Sequence, residues 1–180
     1  MHAPDGVSDA RFLFGYEEAL GYAVTGIVRD KDGISAALAI AQLAAQCKRD
    51  GRSLADRLDG LARRFGLHAT GHWSLELPDE DGHERIEKIM EALRASPPPT
   101  LGGRRVTAVD DLALPPSDVL VLHGGDELRV VIRPSGTEPK LKAYLQVIVP
   151  VDDQDVDAAR GQAARELEDL GAELSTLVRS

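Results

Sequence analysis

The sequence predicts an α+β protein whose second part is a two-layer domain, with helices packed on a mostly antiparallel four-stranded sheet. Two observations carry this prediction. Leu141 to Val149 alternates apolar and polar residues, as a half-buried strand does. Asp153 to Val178 repeats apolar residues at helical spacing, so it predicts a long amphipathic helix. A sheet that buries one face under helices is a stable arrangement for such elements.

The first part of the chain is expected to open with strands and continue into a helix. Arg11 to Gly21 reads as a short strand running into an acidic loop, and Tyr22 to Arg29 is rich in residues that favour strands. Asp32 is then a suitable N-cap for a helix that continues to about Lys48. The predicted apolar face of this helix consists of Ile34, Leu38, Ala41, Ala44 and Ala45.

A second helix should begin at Ser53, because Asp56 three residues later forms a variant of the capping box, and it should end before Gly66. Its predicted buried stripe consists of Leu54, Leu58, Leu61 and Phe65. We expect these helices to close a first domain at residues 1–66, with the second domain at residues 67–180. A hinge is expected at Gly66 to Gly71.

The second domain contains further strand-like segments and one more helix. His68 to Leu77, Val119 to His123 and Leu128 to Ile132 read as strands, Val106 to Leu112 is also strand-like, and Gly124-Gly125 suits a hairpin turn. A helix is predicted at Glu84 to Ala95, and its inward residues should be Ile86, Ile89, Met90 and Leu93.

Residues 133–140, which read RPSGTEPK, connect two of these strands and have the chemistry of a phosphate-binding loop. A phosphate dianion is bound by a guanidinium fork, by hydroxyl donors and by backbone N–H groups that glycine makes accessible. Arg133, Ser135, Gly136 and Thr137 supply these groups. Lys142 follows on the next strand, where alternation directs it toward the ligand side. The alternative is an ordinary turn between two hairpin strands.

Three charged residues of the first domain are candidates for contact with a sugar. Glu17 and Glu18 lie side by side in the acidic loop, and carboxylates are good partners for sugar hydroxyls. On residue chemistry alone, such a pair more often belongs to a solvated surface. Lys31 precedes the predicted helix start, where a solvated linker charge is the alternative to a ligand contact.

Three strings of this sequence resemble motifs of the α-D-phosphohexomutases, the phosphoglucomutase and phosphomannomutase family. RPSGTEPK at 133–140 is similar to the phosphate-binding loop of the family's last domain. FGYEEALGY at 14–22 is similar to the sugar-specificity loop of its third domain. Asp30-Lys31-Asp32-Gly33 resembles the segment in which a lysine faces the substrate. The resemblance therefore spans both parts of the chain, in the family's order.

The resemblance implies the end of an α/β third domain followed by a whole fourth domain. Two sets of residues are implied to contact the substrate. Those for its phosphate are Arg133, Ser135, Gly136, Thr137 and Lys142. Those for its sugar are Glu17, Glu18 and Lys31. Which phosphosugar is bound, among those of glucose, mannose, a pentose or an amino sugar, stays open.

Members of this family move a phosphoryl group between sugar hydroxyls through a phosphoserine and a sugar bisphosphate. The full-length enzyme is thus implied to use Mg²⁺ and a sugar 1,6-bisphosphate. No Thr-Ala-Ser-His-type serine loop and no Asp-Gly-Asp-x-Asp-Arg metal loop occurs in the 180 residues, so we expect no catalytic or metal-binding residue here and no activity from the chain alone. Its expected partners are a phosphorylated sugar and the missing N-terminal domains. A free-standing phosphosugar-binding or regulatory module and a non-functional truncation are the alternatives.

Composition excludes several other classes of protein. The net charge of −9 argues against nucleic-acid binding, and no apolar run approaches the roughly 18 to 20 residues that cross a bilayer. The single cysteine, Cys47, permits no internal disulfide, which fits a cytoplasmic protein. His68 and His72 lack a thiol or carboxylate at matching spacing, so no zinc site is expected.

Overall fold

The structure is a computed structural model that describes residues 12–17, 20–112, 118–151 and 155–178. The chain divides into two compact units, Met1–Leu58 and Asp59–Ser180. The domain boundary after residue 66 stays a prediction.

The first unit consists of a small hairpin followed by a helix. Strands β1 (Gly15–Glu17) and β2 (Gly21–Ala23) pair antiparallel, and helix α1 (Gly33–Arg49) follows. The Asp32 carboxylate accepts hydrogen bonds from the first amides of α1, at 3.1 and 3.0 Å, as the N-cap prediction required. The prediction of a strand-rich segment up to Arg29 was wrong, because residues 25–30 form bends.

Helix α2 (Leu54–Phe65) begins and ends as its local sequence indicates. The Ser53 amide donates to Asp56 Oδ2 at 2.7 Å, and the Asp56 amide donates to Ser53 Oγ at 3.1 Å, which is the reciprocal bonding of a capping box. Gly66 follows the last turn with a φ of +83°, a value that favours glycine.

The predicted burial of the apolar faces of α1 and α2 was wrong. Ile34 is 85% exposed and Leu38 60% on α1, while Leu58 is 63% exposed on α2. Leu61 and Phe65 are exposed as well. The helical spacing indicated one apolar side for each helix, but most of the predicted positions are exposed within the described residues, and only Ala44 and Leu54 are half-buried. Amphipathic spacing reports which face prefers burial and not whether a cover is present.

The second unit contains a five-stranded sheet in the order β3-β9-β8-β7-β6, in which every pairing is antiparallel. Its elements in chain order are β3 (Leu67–Glu76), α3 (Gly82–Ala95), β4 (Thr100–Leu101), β5 (Arg104–Arg105), β6 (Ala108–Asp111), β7 (Leu120–Gly124), β8 (Leu128–Pro134), β9 (Lys140–Val149) and α4 (Val156–Leu177). The α+β, mostly antiparallel class is confirmed, but the sheet has one strand more than the predicted four. The fifth strand is β6, which lies within the strand-like segment Val106 to Leu112 and joins one edge of the sheet with all its residues exposed.

One face of this sheet forms the core and the other stays open. Alternate residues of β9, from Leu141 to Val149, are buried, while the residues between them are only half-buried. Helices α3 and α4 pack against the buried face. The largest fully buried side chains are Met90, Leu101, Leu120, Leu122, Ile132, Leu141, Leu170 and Leu174. The open face is therefore available for polar side chains.

Candidate functional site

The RPSGTEPK loop connects β8, the central strand of the sheet, to its neighbour β9. The Ser135 amide donates to the Lys140 carbonyl at 2.8 Å and closes the loop at its base. The Lys140 amide donates to the Glu138 carbonyl at 2.7 Å, which turns the chain back into β9. The strands enter and leave the loop as the alternation predicted, so the loop is held at both ends by the sheet.

The far side of the loop is tied to the turn between β3 and α3. The Leu77 amide donates to the Pro139 carbonyl at 2.9 Å. Gly82, the first residue of α3, is buried beside both: a Cβ at this position would collide with the Leu77 carbonyl oxygen and would lie 3.2 Å from Pro139 Cβ. The position of the loop therefore depends on a close backbone approach that only glycine allows.

Two cations face each other at the root of the loop. Arg133 and Lys142 are directly opposite in the β8–β9 register, and both are half-buried on the open face. Among the described residues, no carboxylate forms an ion pair with either one, whereas Arg104 pairs with Glu166 at 2.8 Å. Like charges directly opposite on a sheet repel each other. An anion bound between these two side chains would remove that repulsion.

The tip of the loop presents donors that are not used within the described chain. The Ser135 side chain is half-buried and Thr137 is exposed, and within the described residues neither hydroxyl forms a hydrogen bond. Gly136 is exposed, its φ lies outside the positive range, and no atom lies within 4 Å of where its Cβ would stand. Neither backbone conformation nor packing explains a glycine there. A glycine at position 136 is explained instead by the room that it leaves for a ligand to approach the backbone.

In the first unit, the structure brings two of the three predicted sugar-binding residues together. Lys31 Nζ lies 3.2 Å from Glu17 Oε1 and 3.5 Å from Asp30 Oδ1. The hydrogen bond and charge of Glu17, and then the charge of Asp30, raise the pKa of Lys31 above its ordinary value. The hydrogen bond from the Lys31 amide, at 2.7 Å, and then the Lys31 charge lower the pKa of Asp30. Glu18 lies outside the described residues.

A glycine makes this ion pair possible. A Cβ at Gly21 would collide with Lys31 Cδ and would lie 3.2 Å from Glu17 Oε2, so the lysine stem crosses β2 over the bare glycine. The ion pair lines an open cleft of about 610 Å³, whose other walls include Phe12, Tyr16, Thr25, Val28 and Arg29. A cleft with apolar walls and a few charged groups is the usual form of a small-molecule site.

Sequence reasoning missed three residues of these two sites. Gly21 and Asp30 were not singled out as contacts of Lys31, and Tyr144 was not singled out at all. Tyr144 Oη accepts a hydrogen bond from Arg133 Nη2 at 2.9 Å. Alternation along β9 was the available signal, since it places Tyr144 on the same face as Lys142.

The described residues contain neither a metal cluster nor a membrane-spanning helix. Among the described residues, no group of three or more His, Cys, Asp and Glu side chains is arranged to hold a metal ion. No helix within these ranges is both long and apolar enough to cross a bilayer.

Comparison with known domain families matches both parts of the chain. Residues 5–65 match the profile of the phosphoglucomutase/phosphomannomutase alpha/beta/alpha domain III, and residues 75–157 match that of the phosphoglucomutase/phosphomannomutase C-terminal domain. The chain belongs to this family. It corresponds to a C-terminal part of a phosphohexomutase, as the three motifs predicted.

Individual relatives agree with this assignment. The chain is 43% identical over 136 residues to a probable phosphomannomutase of Haemophilus influenzae, covering 74% of this chain and 27% of that protein. It is 31% identical over 155 residues to a phosphoglucomutase of Staphylococcus epidermidis, covering 77% of this chain and 28% of the relative. The chain thus spans little more than a quarter of the length of these relatives.

A solved structure supports the fold. The crystal structure of the exocytosis-sensitive phosphoprotein pp63/parafusin, a phosphoglucomutase from Paramecium, in its open form, superposes with a TM-score of 0.59 and covers 90% of this chain and 30% of that one. The sequence identity is 18%, so this likeness concerns the fold alone.

Proposed function

We propose that this chain is the substrate-binding part of a phosphosugar mutase, which moves a phosphoryl group between hydroxyls of one sugar. The observation that carries the proposal is the pair of opposed cations, Arg133 and Lys142, which have no carboxylate partner within the described residues. They stand at the root of a loop whose hydroxyls and glycine backbone are open to a ligand. This combination suits a phosphate dianion.

Each group of the loop contributes a different contact to the bound phosphate. Arg133 offers a planar fork to two phosphate oxygens, and Lys142 contributes a compact charge to the same anion. Ser135 and Thr137 donate hydroxyl hydrogen bonds, and the backbone at Gly136 approaches the phosphate closely. The bound phosphate is the one that does not react. Its binding energy orients the sugar so that the other end of the substrate reaches the catalytic groups.

The sugar itself is assigned to the cleft of the first unit. Glu17 accepts hydrogen bonds from sugar hydroxyls, and Lys31 donates to hydroxyl or phosphate oxygens once it turns from Glu17. Both side chains of the pair are about half exposed, and such an ion pair contributes little to stability. Replacing it with contacts to a ligand therefore costs little free energy. Relatives named phosphomannomutase and phosphoglucomutase are both similar to this chain, and we extend the proposal to a hexose phosphate.

The chemistry of transfer is proposed to reside outside this chain, in N-terminal domains of the same protein. Mg²⁺ and a sugar 1,6-bisphosphate are proposed for the whole enzyme. The described residues do not fit a Mg²⁺ site, since no carboxylate cluster is present among them, and no step is assigned to the metal here. The 180-residue chain alone is proposed to be inactive, and the protein is proposed to be cytoplasmic.

Mutase activity of the whole protein that carries this chain tests the proposal. Conversion of mannose 1-phosphate and of glucose 1-phosphate to the 6-phosphates is measured for the wild type and for Arg133→Ala. Loss of one charge-assisted hydrogen bond predicts a fall in kcat/KM of about tenfold or more. An unchanged kcat/KM for both sugars would refute the role of Arg133.

Arg129→Ala is the matched control. Arg129 lies on the same strand and face but is opposite Gln146, four residues before Arg133. That spacing is about 13 Å along a strand, beyond the screening length of about 8 Å at physiological salt. The same change of charge at this position should therefore leave kcat/KM nearly unchanged.

A free-standing phosphosugar-binding module is a second candidate, because the chain spans only about 27% of the length of its relative. The mass of the native polypeptide that carries the RPSGTEPK peptide separates the two. A mass several times the 19.3 kDa of this chain supports the mutase. A native mass equal to that of the chain supports the module.

A further inference from the structure

A row of three side chains crosses the open face of the sheet beside the phosphate loop. Tyr144 lies on the middle strand β9, and His72 lies directly opposite it on β3. Their rings meet edge to face, with centroids 5.4 Å apart. On the other side, Val131 of β8 lies directly opposite Tyr144, and Arg133 lies two residues further along β8, diagonal to the tyrosine on the same face.

Arg133 contacts Tyr144 in two ways. Its Nη2 donates a hydrogen bond to the Tyr144 hydroxyl at 2.9 Å, and its Cζ lies 5.5 Å from the centroid of the tyrosine ring. The second distance is within the range of a cation–π contact. Together they fix both the direction and the tilt of the guanidinium group. The edge contact from His72 in turn restricts the tyrosine ring.

Repulsion between Arg133 and Lys142 makes the contact with Tyr144 necessary. Lys142 stands directly opposite Arg133, and within the described residues neither cation has a carboxylate to hold it in place. Without another contact, the long arginine side chain would move away from the lysine and lose its orientation. The tyrosine hydroxyl uses one of the five guanidinium N–H groups and leaves the others for a ligand. A guanidinium group that is already oriented loses less side-chain entropy when it binds a phosphate.

We propose that Tyr144 is a positioning residue for phosphate binding, which holds the Arg133 guanidinium in the orientation that receives the substrate phosphate. This inference rests on the proposed function, since it assumes that Arg133 binds phosphate. Tyr144 acts through Arg133 and does not contact the phosphate. Its effect on affinity therefore exists only while Arg133 is present.

A double-mutant cycle with glucose 1-phosphate tests the positioning role. Dissociation constants are measured by NMR titration for the wild type, Tyr144→Phe, Arg133→Ala and the double variant of the 180-residue chain. Tyr144→Phe removes only the hydroxyl and keeps the ring against His72 and Arg133. We expect affinity to fall about threefold to tenfold, the cost of ordering one long side chain on binding. In the Arg133→Ala background, the same change should have no further effect.

A measurement without ligand separates positioning from a general structural effect. The ¹⁵N relaxation of Arg133 Nε should report faster guanidinium motion in Tyr144→Phe than in the wild type. The melting temperature should stay the same, because the lost hydroxyl lies on the open, half-buried face.

The possible outcomes are distinct. If wild type and Tyr144→Phe bind equally while Arg133→Ala loses binding, the positioning role is wrong and the proposed function stands. Equal losses from Tyr144→Phe in both backgrounds would also overturn it, since the tyrosine would then act independently of Arg133. If the wild type does not bind glucose 1-phosphate, the proposed phosphate site and the inference fail together.

Discussion

Replacing Gly136 by alanine should weaken phosphate binding without lowering the stability of the fold. No atom lies within 4 Å of the position of the added Cβ, and the backbone there does not have a positive φ. The methyl group therefore meets only the space that the ligand would occupy. An unstrained Gly→Ala change stabilises a fold by about 0.4 to 1 kcal/mol, because it restricts the unfolded chain.

The expected loss of affinity follows from the hydrogen bonds at the loop tip. A phosphate held back by the methyl group loses at least one charge-assisted bond from the backbone, which contributes about 1.5 to 3 kcal/mol. Since 1.4 kcal/mol corresponds to a factor of ten, the dissociation constant should rise about tenfold to hundredfold. Titration with glucose 1-phosphate measures the affinity, and thermal melting of the same sample measures stability.

Gly161→Ala is the matched control in the same unit. Gly161 lies within α4, and its added Cβ would meet only Arg165 Nη1, at an ordinary 3.6 Å. This change should raise the melting temperature and leave the dissociation constant unchanged. The reasoning about Gly136 would be refuted if Gly136→Ala lowered the melting temperature while binding stayed at the wild-type value.

Two further predictions concern glycine packing and the ion pair of the first unit. Gly82→Ala should lower stability by about 1 to 3 kcal/mol, because the added Cβ collides with the Leu77 carbonyl oxygen and crowds Pro139, and thermal melting measures the loss. Glu17→Gln should lower the pKa of Lys31 toward its ordinary value, because Glu17 is the main cause of its rise, and an NMR titration of the lysine Cε measures the shift. The pKa of Lys31 is raised in the folded state, so the ion pair stabilises the fold while the lysine is charged. The contribution of the pair to stability is complete below pH 10.5 and is lost as the pH rises through the higher folded-state value.

The control for the buried glycine is Gly33→Ala. Gly33 is also the first residue of a helix, α1, but no atom lies within 4 Å of its added Cβ. Equal destabilisation by both changes would show that the loss at Gly82 comes from the helix start and not from the collision. For the ion pair, a Lys31 pKa unchanged in Glu17→Gln would contradict the contact.

The features that sequence reasoning predicted correctly depend on local interactions. The cap at Asp32 and the capping box of Ser53 and Asp56 join residues at most three positions apart. The loop at 133–140 is also local, because alternation on both sides of it indicates two strands and its composition indicates a tight connection. For the same reason, the residues proposed to bind phosphate can be named from the sequence.

The features that could not be predicted depend on the register of distant strands or on whether an apolar helix face is covered. The contact between Arg133 and Tyr144 exists because β8 and β9 pair in one register, and a shift by one residue would place Tyr144 in the core. The passage of Lys31 over Gly21 depends likewise on where the chain returns after the hairpin. The exposure of Ile34 could not be foreseen, since its spacing shows a preference for burial and no partner for it.

The central claim is that the loop between β8 and β9 binds the phosphate of a phosphosugar. It is tested most directly by following the backbone amide signals of the chain during titration with glucose 1-phosphate, and in parallel with unphosphorylated glucose. We expect saturable shifts at Gly136 and Thr137 with the phosphosugar and none there with glucose. Unchanged signals in this loop with glucose 1-phosphate, or equal shifts with glucose, would contradict the claim.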